Sequence, residues 1–138
     1  MSPEVVQRAQ ARADQNVAAA SAPRPSAEIT GRLIDHLTSA QRKEYPMATG
    51  LLDYFPDALA LVSHVSYLGN QKHNPGEPLG WSRDKSADHA DCVIRHMSTR
   101  TDYDGKVLHL AEAAWRVLAE LQLALEKKYN LAPPRGAK

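Results

Sequence analysis

The chain has 138 residues, enough for one domain that buries about two thirds of the surface its unfolded chain exposes. A single cysteine, Cys92, excludes an internal disulfide and suits a reducing cytoplasm. A formal net charge of +1 argues against a nucleic-acid polymer as partner, and no apolar run reaches the ~18–20 residues of a membrane span.

Leu and Ala dominate the apolar residues and β-branched runs are missing, which points to an all-α fold, a bundle of about four helices. Residues 1–27 read as a flexible or peripheral arm: over 4–22, Val5, Val6 and Val17 are the only apolar side chains larger than Ala, and Pro23 and Pro25 stop any helix. The helical domain is expected over 28–130 and a short tail over 131–138. Ser26 is a cap for a helix over 27–43, with Ile29, Leu33, Ile34 and Leu37 on its apolar face. Residues 45–55, with Pro46 and Gly50, read as irregular. Pro56 opens the next helix, whose stripe is Leu59, Val62, Val65 and Leu68 and whose stop is Gly69 and Asn70.

A loop over 70–85 follows, long enough to suggest function, and it contains Trp81. Ser86 can cap a helix over 87–99, a turn rich in Asp and Gly spans 101–105, and a last helix runs over 106–129. The stripe of that helix, Leu110, Ala114, Val117, Leu121 and Leu125, is the most regular in the chain. Flat Leu/Ala stripes of this kind also suit self-association.

The candidate chemistry lies in the second half. Asp88 and Asp91 stand i, i+3 on one helix face with Arg95 a turn further on, and His89 and His96 share a neighbouring face. His109 and Glu112 are i, i+3 on the last helix, with Arg116 next along the same line. Two helices joined by a short turn can bring Asp88, Asp91, His109 and Glu112 together as a hard, oxygen-rich site for Mg²⁺ or Mn²⁺. The same residues could instead be a helix-start charge, an ordinary Asp91–Arg95 surface pair and a solvated helix face. Lys72, His73 and Arg83 flank Trp81, offering charge for phosphates and a flat ring for a base. Arg95 and His96 add to the phosphate-binding set. His64, Tyr67, Cys92 and Trp115 read as core residues. There is no Walker loop, Rossmann glycine pattern, nucleophile elbow or CxxC pair, so phosphate binding would rest on metal and basic side chains.

The order of these motifs resembles a known family. The runs are Gly50–Leu59 (GLLDYFPDAL), Gly69–Gly76 (GNQKHNPG), Leu79–Trp81 (LGW), Ser86–Asp91 (SADHAD), Arg95–His96, Asp104–Gly105 and His109–Arg116 (HLAEAAWR). Together they look like the phage dATP/dGTP diphosphohydrolase family, related to MazG-type all-α nucleotide pyrophosphohydrolases, over about residues 45–127. The resemblance implies an oligomeric, metal-dependent all-α protein in the cytoplasm of an infected bacterium. It implies cleavage of a (deoxy)purine triphosphate, dGTP or dATP, to monophosphate and pyrophosphate. Better-known MazG relatives bind Mg²⁺ through a Glu-Glu-x-x-Glu helix followed by a Glu-x-x-Asp helix. Here Asp88-x-x-Asp91 and His109-x-x-Glu112 take comparable places and the first Glu cluster is absent. The alternative is a non-catalytic phage protein that binds and sequesters a nucleotide signal.

Overall fold

Apolar periodicity of 3.6 residues organises most of the chain, and helices result. The computed structural model describes residues 2–20 and 32–138. Its main helices are α1 (Pro3–Ala20), α2 (Ser39–Arg42), α3 (Pro56–His73), α4 (His89–Ser98) and α5 (His109–Tyr129). Short 3₁₀ turns cover Leu33–His36 and Arg83–Lys85, and a π-helical turn covers Ala48–Leu52 in the stretch expected to be irregular. The chain is therefore mostly helical, as its composition implies, with one addition. Strands β1 (Tyr103–Asp104) and β2 (Val107–Leu108) pair antiparallel across Gly105 and Lys106.

Several expected boundaries move, each for a local reason. The helix placed over 27–43 is broken: its Ser26 cap and Ile29 lie outside the described residues, and Leu37 has extended backbone. The chain restarts at Thr38, whose Oγ1 accepts from the Gln41 N–H while the Gln41 side chain accepts from the Thr38 N–H. That reciprocal cap stabilises a new start. Helix α3 runs through Gly69 and Asn70 and stops one turn later. Pro75 forces Asn74 out of helical geometry (φ −137°, ψ 59°), so proline and not glycine ends it. Asn70 is buried and its Nδ2 donates to the Glu77 carbonyl, tying the shortened loop to the helix. Asp88, not Ser86, precedes α4.

Helix α5 starts at His109, because Lys106 to Leu108 are drawn into the hairpin. Gly105 takes φ +60°, the positive value that a two-residue hairpin requires. Val107 is buried beneath the hairpin, and the His109 N–H donates to the Asp102 carbonyl. At the far end Asn130 closes α5 in the left-handed region (φ 51°), its N–H bonded to the Glu126 carbonyl.

Helix α5 is the centre of the fold, packed against α4 and then α3. Among the described residues, the buried apolar ones are few and mostly small: Leu37, Cys92, Val107, Ala111, Ala113 and Ala119. The regular stripe of α5 is not among them. Leu110, Ala114, Val117 and Leu121 are exposed and only Leu125 is half-buried. Two further core assignments change. His64 is exposed and stacks on Tyr67, which is exposed too. The short tail lies against the loop: the Trp81 N–H donates to the Gly136 carbonyl, and the Lys138 N–H donates to the Trp81 carbonyl. The expected peripheral arm contains α1, whose Pro3 to Arg12 are exposed throughout.

Candidate metal and nucleotide site

The α4–hairpin–α5 unit brings three side chains from two helices to one point. His96 Nδ1 lies 2.8 Å from His109 Nδ1, and His96 Nε2 lies 3.1 Å from Glu112 Oε2. One ligand atom from each of His96, His109 and Glu112 falls within 4.8 Å of the others, a spacing that a single cation can bridge. All three are half-buried. His109 and Glu112 meet because they are i, i+3 on α5; His96 joins them because the two-residue hairpin folds the last turn of α4 onto the first turn of α5.

Burial disfavours charge on two of the three groups. Burial pushes the His96 imidazole down, helped by His109 and by Arg116. Burial first, and then the Asp104 carboxylate, push Glu112 up to about 6. A neutral His96 donating Nε2–H to Glu112 has its Nδ1 lone pair free to accept from His109 Nδ1–H. A cation would compete with these protons for the same lone pairs.

The raised Glu112 carboxyl gives a pH test. The folded, metal-free protein holds this proton more tightly than the unfolded chain. The stabilisation is therefore complete below the ordinary value of 4.5 and is lost as pH rises through about 6. E112Q cannot titrate. Its urea midpoint relative to wild type is expected to climb across that window, and a pH-independent difference would remove burial of the Glu112 charge as the cause.

The cluster opens on a cavity of about 870 Å³, within the range of pockets for small organic ligands. His96, Glu112 and Asp104 line it, with Trp81, Trp115 and His89 along the wall. Trp81 and Trp115 meet edge to face with centroids 5.8 Å apart, and Trp115 Nε1 donates to Ser66 Oγ at 2.7 Å. Lys72, His73, Arg95 and Arg116 also line the cavity. Arg116 is held in place, donating to Ser86 Oγ at 2.7 Å and to His89 Nδ1 at 3.1 Å. Burial, then the Arg116 charge, push His89 down, consistent with a neutral ring accepting that hydrogen bond.

The residues expected to form the site separate into three groups. His96, His109 and Glu112 come together, although His96 was expected among the phosphate-binding residues. Lys72, His73, Trp81 and Arg95 line the cavity. Asp88 lies away from the His–His–Glu cluster, and Asp91 and Arg83 lie outside the cavity lining. The Asp88 carboxylate accepts from Ser86 Oγ at 2.7 Å and pairs with Arg95 at 3.1 Å, contacts that hold it well below the usual carboxylate range. It lines the cavity but does not reach the His–His–Glu cluster. Asp91 points outward on α4 and is exposed. Arg83 pairs with Glu126 at 2.6 Å and lies over the Trp81 ring at 4.3 Å, outside the cavity lining. Sequence reasoning missed Asp104, whose signal was the Asp-Gly turn, and treated Trp115 as core.

No protein-family model, curated protein or solved structure matches this chain.

Proposed function

We propose that the protein hydrolyses a (deoxy)purine nucleoside triphosphate, dGTP or dATP, to the monophosphate and pyrophosphate with a divalent cation. One observation carries this reading: His96 and Glu112 of the His–His–carboxylate cluster, two indoles and several cations line a single cavity of about 870 Å³. The resemblance of the motif order to that of phage dATP/dGTP diphosphohydrolases points to the same reaction.

His96, His109 and Glu112 are the residues we assign to the cation. Two imidazoles and one carboxylate fit Mn²⁺ or a neighbouring first-row metal better than Mg²⁺, which favours all-oxygen sites. A bound cation supplies Lewis acidity and positive charge for the polyphosphate. The chain's own residues do the rest. Trp81 and Trp115 form an aromatic wall for the purine, and Lys72, Arg95 and the doubly anchored Arg116 bind phosphate oxygens. We assign Asp104, beside Glu112, as the acceptor of the proton from the water that attacks the α-phosphorus. Arg116 then meets the charge that develops on the departing pyrophosphate.

The test is a product assay with dATP, dGTP, ATP and GTP, each with Mn²⁺, with Mg²⁺ and with a chelator. Release of monophosphate and pyrophosphate that is faster with Mn²⁺ and stops with chelator is expected. A nucleotide bound tightly but returned intact would replace the enzyme by a sequestering protein.

A further inference from the structure

Among the described residues, four buried side-chain atoms lack a hydrogen-bond partner. Two belong to the Arg83–Glu126 pair, outside the cavity lining. The other two, His89 Nε2 and Asn70 Oδ1, belong to residues of the cavity wall. His89 is 2% exposed and Asn70 7%, so bulk water does not reach either group. An unpaired buried donor or acceptor is costly, and a ligand site is where that cost is recovered.

The character of each orphan is fixed by its neighbour. Arg116 offers only N–H groups, so His89 Nδ1, 3.1 Å away, accepts, and the proton of the neutral ring sits on Nε2. Burial and the Arg116 charge favour that neutral ring. The Glu77 carbonyl only accepts, so Nδ2 is the Asn70 atom that meets it at 3.0 Å, and Oδ1 is left over. The cavity wall thus holds one unused donor and one unused acceptor, both neutral. A polyphosphate offers oxygens alone and has nothing for Asn70 Oδ1. A purine edge has partners for both. The His89 ring lies 6.3 Å from Trp81 and 6.2 Å from Trp115, so the aromatic wall assigned to the purine also carries the donor.

We infer that His89 Nε2–H and Asn70 Oδ1 are specificity-determining groups that read the purine edge around its six-position. The inference rests on the nucleotide reading above. Adenine supplies a ring nitrogen for His89 and its exocyclic amino group for Asn70. Guanine supplies its exocyclic oxygen for His89 and the neighbouring ring N–H for Asn70. In either base, removing the six-substituent removes at least one of the two contacts.

Calorimetry with Mn²⁺ tests it. The ligands are the α,β-methylene triphosphates of deoxyadenosine and deoxyguanosine, which resist cleavage at the α-phosphorus, and their counterparts without the six-substituent, built on purine and 2-aminopurine. The tighter parent ligand is expected to bind at least about tenfold more strongly than its counterpart. H89F keeps a flat ring and removes the donor. It is expected to lose a similar factor for the parent ligand and nothing for inorganic triphosphate, which has no base. The comparison of bases uses wild type alone, so it decides the question even where H89F does not fold. A parent ligand that binds with no dependence on its six-substituent would overturn the inference and leave the nucleotide reading standing. So would H89F that weakens inorganic triphosphate equally, because His89 would then act by supporting Arg116. Failure of both parent ligands to bind would overturn the inference and the nucleotide reading together.

Discussion

The H96A and E112Q variants are expected to lose more than about a hundredfold in kcat, while D91A keeps wild-type turnover. Substituting residues that merely orient metal ligands commonly costs 10–100-fold, so losing a ligand should exceed that. The contrast among the three is the informative part. By spacing alone, Asp91 and Glu112 are equivalent, each an acidic residue near the start of a helix. The structure separates them: Glu112 is half-buried and 3.1 Å from His96, whereas Asp91 is exposed. Kinetics at varied Mn²⁺ identify the mechanism of loss. H96A should weaken the apparent metal affinity as well as lower kcat, since it removes an imidazole donor. If D91A were as inactive as H96A, the carboxylates of α4 would be ligands and the His–His–Glu cluster would be a hydrogen-bonded structural feature.

Helix identity was legible in the sequence because an apolar repeat of 3.6 residues is a local signal. Helix α3 and α5 could be read from Leu59–Leu68 and Leu110–Leu125 directly. What each repeat packs against is not local, and there the reading failed. The α5 stripe was the clearest in the chain, yet its residues face outward; periodicity reports an apolar face without saying whose surface covers it. The site divides in the same way. His109 and Glu112 were legible as an i, i+3 pair. His96, thirteen residues from His109, depends on a two-residue hairpin that gave only a weak Asp-Gly signal. Asp104 was hidden in that same turn. Cations beside Trp81 were read as ligands for phosphate, and of these Lys72 lines the cavity. Arg83 is different, because the carboxylate that neutralises it is 43 residues away on α5 and no nearby pattern announces it.

That long-range pair makes E126A the variant with the largest expected effect on stability, a loss of about 3 kcal/mol. For a chain of this size this corresponds to roughly 10 °C in Tm. Arg83 and Glu126 are only 18% and 10% exposed, and they join the loop to α5 at 2.6 Å. Removing the carboxylate leaves a guanidinium largely cut off from water with its main partner gone. Arg83 Nη1 already lacks a hydrogen bond, as does Glu126 Oε2, so neither group has a spare partner to fall back on. R83A should cost a similar amount by stranding Glu126 instead. The apolar double variant R83M/E126L strands neither charge and is expected to recover most of the loss, which thermal melts of the four proteins would show. The same melts decide what Arg83 is for. If Arg83 served the nucleotide, R83A would raise KM with little change in Tm, and E126A would be nearly silent. If it anchors the Trp81 loop, as the ion pair and the 4.3 Å stacking on the indole indicate, both single variants melt early and disturb nucleotide binding only through the position of Trp81.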